Sequence, residues 1–234
     1  MESLLDPIKS ESRLVGTLIT REPHKWSGVV TTLVILLMSL LSQLYWQDWG
    51  DLASELPAVG QKIFAEGEWW RAVTALFIHG DMGHFLNNMY MLGVFGYFCF
   101  GYFGFQIFPL FTFLGAVFAN VIAIATYPPD VQLLGASGWV YLLGGLWLTL
   151  YFLIQRQYSY FNRTLRVVGV ALMMFFPTSF VVTTSYRTHA IGFFVGVAIA
   201  LVYFGMQRSY IRSWEQWRYI APSNDESDVK STAI

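Results

Sequence analysis

Between Met82 and Gln155 the chain carries a single formally charged residue, Asp130. A water-exposed surface does not tolerate such a depletion, whereas a bilayer requires it, because a charge in hydrocarbon costs several kcal/mol. The composition agrees: of 234 residues, 55% are hydrophobic and 12% charged, too few charges for an ordinary soluble domain. The expected fold class is therefore all-α, a polytopic membrane protein. A formal net charge of -1, with no basic stripe interleaved with aromatics, argues against a nucleic-acid partner. Cys99, the only cysteine, excludes an intrachain disulfide and reads as lipid-facing or core filler.

Residues 1–27 carry Lys9, Arg13, Arg21 and Lys25 among polar neighbours and read as a cytoplasmic arm without a core of its own, with His24 solvated beside Pro23. This arm is too long and too mixed in charge for a signal leader, so the first apolar run is expected to stay in the mature protein. That run, 28–45, is near the minimum needed to cross ~30 Å of hydrocarbon. The loop 46–78 is acidic yet holds Trp46, Trp49, Trp69 and Trp70, which suit a membrane–water interface. Five further apolar runs, near 84–103, 107–127, 137–155, 165–182 and 189–206, give six expected spans in a membrane domain of 28–206. The tail 207–234 combines an interfacial anchor (Trp214, Trp217, Tyr219) with a polar end from Pro222 expected to be disordered.

Lysine and arginine set the expected orientation. With the N-terminus in the cytoplasm, that side collects Lys9, Arg13, Arg21, Lys25, Arg156, Arg163, Arg166, Arg208, Arg212, Arg218 and Lys230, against Lys62, Arg71 and Arg187 opposite. An even number of spans then puts both termini in the cytoplasm. No internal repeat suggests a transporter of two inverted halves.

Polar groups at the spans need explaining, since each costs several kcal/mol when unpaired in hydrocarbon. They are His79, His84, Asn87, Asn88, Ser137 and His189. His84 and Asn88, four apart, share one helical face, as do Ser137 and Tyr141. A metal site lacks the carboxylate or third imidazole it would need, so no metal or cofactor is implied. Ser137 lies in Gly135-Ala136-Ser137-Gly138, and His189 begins a stripe continued by Gly192 and Gly196. Small residues on both helices permit close approach, and both helices start at the non-cytoplasmic side in the six-span topology. Ser137 and His189 can then form a nucleophile and general base, with His84 and Asn88 as candidate oxyanion donors. No carboxylate lies within a span, so the pattern is a dyad, with Tyr141 the candidate to orient the histidine. The alternative for the small-residue set is packing alone.

This pattern resembles the rhomboid intramembrane serine proteases in their minimal six-span form. The resemblance rests on Trp70-Arg71, on His79 with His84 and Asn88, on Gly135-Ala136-Ser137-Gly138 with Tyr141, and on His189 with Gly192 and Gly196, over about 68–200. It implies that Ser137 is the nucleophile and His189 the base, that His84, Asn88 and the Ser137 N–H form the oxyanion hole, that Tyr141 stacks on His189, and that His79 and Arg71 are structural. It departs where many members have a glutamate between two glycines, since Phe100 lies between Gly96 and Gly104.

The expected function is cleavage of other membrane proteins at helix-destabilised transmembrane segments, entering by the fifth span and the loop 177–188. A rhomboid-like scaffold that binds such segments without cutting them is the alternative. A bacterial inner membrane fits the short length and plain termini best. Oligomeric state is not legible.

Overall fold

The computed structural model describes residues 11–175 and 185–220. In chain order its elements are β1 (Glu11–Gly16), α1 (Ser27–Trp46), α2 (Leu52–Glu55), β2 (Ala58–Val59), α3 (Gly60–Phe64), α4 (Arg71–Thr74), α5 (Met82–Phe105), α6 (Thr112–Ala125), β3 (Gln132–Leu133), α7 (Ser137–Ile154), α8 (Tyr160–Phe175), α9 (Tyr186–Ser213) and β4 (Gln216–Ile220). The helices dominate, as expected of apolar runs that must satisfy their backbone groups internally.

Among the described residues, four stretches are long and apolar enough to cross a membrane: Ser27–Trp46, Met82–Ala125, Ser137–Ile154 and Tyr186–Ser213. They are fewer than the six apolar runs, and the difference lies at two places. The second stretch contains both α5 and α6, joined through a π-helical turn at Gln106–Phe111. The chain nonetheless breaks direction there: Gly104 has φ 77° and ψ -176°, Phe108 is extended, and Pro109 supplies no N–H. The described part of α8 is 16 residues, with Arg163 and Arg166 among them, and the rest of the expected run 165–182 lies outside the described residues.

α7 is the central element. Twelve of its 18 residues are buried, against four of 20 in α1 and six of 28 in α9, and it packs on α5, α6, α8 and α9. Leu142, Leu143, Leu146 and Trp139 fill the middle of the core, beside Phe108 and Leu92. The outer helices leave Leu33, Leu36 and Leu40 of α1 and Phe194, Leu201 and Val202 of α9 exposed, the faces a lipid-solvated helix presents. Cys99 is fully buried and fills core.

The loop between α1 and α5 is folded around a buried cation. Arg71, 2% exposed, donates to the carbonyls of Ser54 (2.7 Å) and Glu55 (2.6 Å) and pairs with the carboxylates of Glu68 and Glu55. Thr74 Oγ1 donates to Leu56 O at 2.8 Å. Asn120 Nδ2 of α6 donates to Ala72 O at 2.9 Å, and β2 pairs antiparallel with β3, so the loop is fastened to the α6–α7 connection. Ile63, Ala72, Ala75 and Leu133 form its small core. Trp49, Trp69 and Trp70 stay exposed.

One expectation is corrected at the chain's ends. Residues 11–20 are not a bare arm: β1 pairs antiparallel with β4, Leu14 opposite Trp217, and Leu18 and Ile19 insert into the main core. The pairing unites segments remote in sequence, so local composition carried no sign of it. His24 is exposed as expected, though its ring edge meets Phe100 at 5.7 Å. Most of the expected entry loop 177–188, and the polar end from Pro222, lie outside the described residues.

Candidate active site

The turn that launches α7 is held by backbone geometry. Gly135 has φ 113°, which favours glycine, and its N–H donates to Ala75 O at 2.8 Å. A Cβ at Gly135 would lie 2.5 Å from His84 Cε1 and 2.9 Å from Nε2, so the imidazole of His84 rests on that glycine. Ala136 N–H donates to His79 Nε2 at 3.2 Å. Because Nε2 accepts, Nδ1 of His79 carries the proton and donates to Ser42 Oγ at 3.0 Å, while Ser42 Oγ donates to Phe77 O at 3.2 Å. Trp46 Nε1 donates to His79 O at 2.7 Å. His79 thus ties α1 to the residue preceding Ser137. Burial, and after it the neighbouring His84, push the His79 imidazole down to about 3, so it remains neutral and keeps this tautomer.

His84 stands in the first turn of α5. Asp81 caps that helix, its Oδ1 accepting from His84 N–H at 2.8 Å. The rings of His84 and His79 meet edge-on at 5.2 Å. Asn88, one turn further along the same face, is 6% exposed, and its Nδ2 is enclosed without a hydrogen-bond partner. Asn87, its neighbour in sequence, is exposed.

His189 is positioned by the start of α9. Ser185 caps this helix, and its Oγ is bonded to Tyr127 OH at 2.7 Å. Arg187 donates to Thr126 O at 2.5 Å and lies over the Tyr127 ring. The opening of α9 is thereby pinned to the end of α6. One residue further, Thr188 Cγ2 would lie 3.0 Å from a Cβ at Gly138. The His189 ring stacks on Tyr141 with centroids 4.0 Å apart and an interplanar angle of 12°. Tyr141 OH donates to Met174 O at 2.7 Å, which joins α8 to the same stack.

α7 and α9 meet backbone to backbone. A Cβ at Gly192 would press on the carbonyl of Gly138, one at Gly196 on that of Leu142, and one at Gly145 on that of Phe193. The glycine stripe thus holds the helices together just beyond Ser137 and His189. Ser137 is partly exposed and His189 is 5% exposed, with its Nδ1 enclosed and unpartnered; the two side chains form no direct hydrogen bond. Enclosed and unpartnered polar atoms such as Asn88 Nδ2 and His189 Nδ1 cost about 1–3 kcal/mol each, a cost proteins concentrate where a ligand or reacting group completes the site.

The structure therefore gathers Ser137, His189, Tyr141, His84, His79, Gly135, Gly192 and Gly196 around one end of α7, with Asn88 a turn from His84. Arg71 stands apart, in the loop. Gly96 packs under the Phe108 ring, and Phe100 is buried between Gly96 and Gly104 with His24 at its edge, an apolar lock where a glutamate was looked for. Sequence reasoning passed over Ser42, Asp81, Asn120 and Gly145. Asp81 carried a signal, an aspartate three residues ahead of His84 at a helix start. Ser42 and Asn120 were polar residues inside apolar runs that the list of membrane polar groups left out.

A family model described as the Rhomboid domain matches residues 66–206 of the chain. Comparison with curated proteins gives no match.

Proposed function

Because the chain belongs to the rhomboid family of integral membrane proteins, we propose that it is an intramembrane serine endopeptidase acting through a Ser137–His189 dyad. One observation carries the reading: the glycine-mediated contact of α7 and α9, which sets His189, stacked on Tyr141, beside the turn that holds Ser137. Ser137 Oγ attacks the carbonyl carbon of a peptide bond as His189 takes its proton. The oxyanion is met by the Ser137 N–H, His84 and Asn88 Nδ2, which has no other acceptor among the described residues. His189 gives the proton to the leaving amine. Water, deprotonated by His189, then attacks the acyl-enzyme and frees Ser137.

The substrate is a transmembrane segment that unwinds readily, rich in small or helix-breaking residues, since an intact helix hides its carbonyls. A groove of about 590 Å³ between α5, α7 and α8, lined by Met91, Val94, Trp147 and Met174 among others, supports lateral entry. Met174 lines this groove and also receives the Tyr141 hydroxyl, so it joins groove and dyad.

In this reading α5 and α6 cross separately and α8 belongs to the fifth of six spans. The β1–β4 pairing, which holds the two ends of the chain together, supports an even number of crossings. Both termini then face the cytoplasm, in a bacterial inner membrane by preference, with 28–206 as the membrane domain.

The test is cleavage of a model transmembrane substrate in liposomes by the parent protein, Ser137→Ala and His189→Ala. Cleavage by the parent alone, with all three folded, supports the dyad. Cleavage by Ser137→Ala at the parent rate refutes it. Binding without cleavage by all three would establish the scaffold reading in its place.

A further inference from the structure

A second cavity, of about 290 Å³, lies at the other end of the bundle, between the segment preceding α1, the end of α5 and the last turns of α9. Its lining includes Arg21, His24, Phe103, Gly104, Tyr203 and Tyr210. The segment bearing the cation is held by its backbone: Tyr102 OH donates to Arg21 O at 3.2 Å, and His24 N–H donates to Gly101 O at 2.9 Å. The Arg21 guanidinium stacks on Trp214 at 4.6 Å. Among the described residues its only hydrogen bond is a long one of 3.5 Å to Tyr102 O, its enclosed Nε has no acceptor, and no carboxylate pairs with it. His24 Nδ1 accepts from Trp26 N–H at 3.3 Å, which leaves Nε2 as a donor. The Tyr203 and Tyr210 hydroxyls add two more donors. At Gly104, with φ 77°, nothing occupies the space a side chain would take.

A pre-positioned guanidinium with no carboxylate partner among the described residues, surrounded by neutral donors and aromatic walls, fits a phosphate group attached to an apolar body. This end of the bundle also carries Lys25, Arg208 and Arg212, and a basic pocket between membrane helices is where anionic head groups bind. We propose that this cavity binds the phosphate head group of an anionic phospholipid, with Arg21 as its principal anchor. The bound lipid bridges the segment before α1 to α9, on the opposite side of the molecule from Ser137, and the site is independent of whether the protein cuts peptides.

The test uses delipidated full-length protein in detergent, titrated with phosphatidylglycerol, phosphatidylcholine or inorganic phosphate, with melting temperature and native mass spectrometry as readouts. Phosphatidylglycerol should raise the melting temperature saturably and remain as an adduct. Arg21→Gln should weaken its apparent affinity about tenfold, the loss of one charge-assisted contact. Tyr210→Phe, which removes only a hydroxyl, should weaken it about threefold to tenfold. Arg208→Gln, whose residue lies outside the cavity, should bind within about twofold of the parent. Parent-like affinity in both Arg21→Gln and Tyr210→Phe overturns the proposal, as does a loss in Arg208→Gln equal to that in Arg21→Gln, which would mean diffuse surface attraction. An equal effect of phosphatidylcholine, or of inorganic phosphate alone, also overturns it.

Discussion

Replacing Gly196 by alanine would insert a methyl group where α7 and α9 have no room for one. Built on the backbone, that Cβ overlaps Leu142 O and lies 2.8 Å from Leu142 C and 2.9 Å from Leu146 N, where ordinary contact begins at 3.4 Å. All three atoms belong to a helix backbone and cannot rotate aside, so the helices must part by roughly 1 Å, and an error of that size near reacting groups costs about 10²-fold in rate. Overpacking of this kind costs about 1–3 kcal/mol, or roughly 2–12 °C in melting temperature for a chain of this size. Gly192→Ala should act similarly, since its Cβ would press on the Gly138 carbonyl one turn from His189. Gly205, on the same helix, supplies the control: nothing lies within 4 Å of its Cβ position, so alanine there should leave cleavage unchanged and gain up to ~1 kcal/mol of helix propensity. Gly138→Ala meets only a methyl of Thr188 at 3.0 Å and should fall between these cases. Initial rates on a model transmembrane substrate, with melting curves for each variant, would decide. Parent-like rate and stability in Gly196→Ala, or equal damage from Gly205→Ala, would refute the close-contact argument.

Further outcomes follow from the site and the loop. Free imidazole titrates near 6.5, but folded His79 stays neutral to about 3, so the unfolded chain binds the extra proton in that interval and stability falls with decreasing pH by about 1.4 kcal/mol per unit; His79→Gln should be less stable at pH 7 yet show a shallower acid slope in melting temperature, and identical slopes would refute this. Arg71→Ala leaves the Ser54 and Glu55 carbonyls and the Glu68 carboxylate without their cation and should cost about 3–5 kcal/mol, read as a lower melting temperature and protease cutting within 46–78. Arg71→Lys should recover only part of that loss, because an ammonium cannot span the same acceptors. Tyr141→Phe keeps the ring beneath His189 but loses the bond to Met174 O, so stability should drop by about 1 kcal/mol with a modest fall in turnover.

What could be read from the sequence was whatever chemistry repeats locally. Gly192 and Gly196 fall on one stripe beside His189, and a stripe of small residues has few uses apart from close approach. The shared face of His84 and Asn88 followed from helical spacing alone. The β1–β4 pairing did not show, because Leu14 and Trp217 lie at opposite ends of the chain and neither strand has a clear alternation. Nor could spacing say which hydroxyl meets His79: Ser42 does so only because α1 packs against α5, a tertiary fact. The sequence sets a boundary between the runs near 84–103 and 107–127, and the backbone breaks direction there at Gly104, although the apolar character continues across it.

The β1–β4 ribbon also dictates an order of assembly. For a free chain, bringing residues about 200 apart together costs roughly (3/2)RT ln n, or about 5 kcal/mol, more than a short exposed two-stranded ribbon returns. The strands can therefore pair only after the intervening helices have packed and carried the ends together. During synthesis β1 emerges first and waits for β4, whose residues are made only after the whole of α9. The ribbon is then the closing event of folding, and protection of its amides from exchange would report a completely assembled helical bundle.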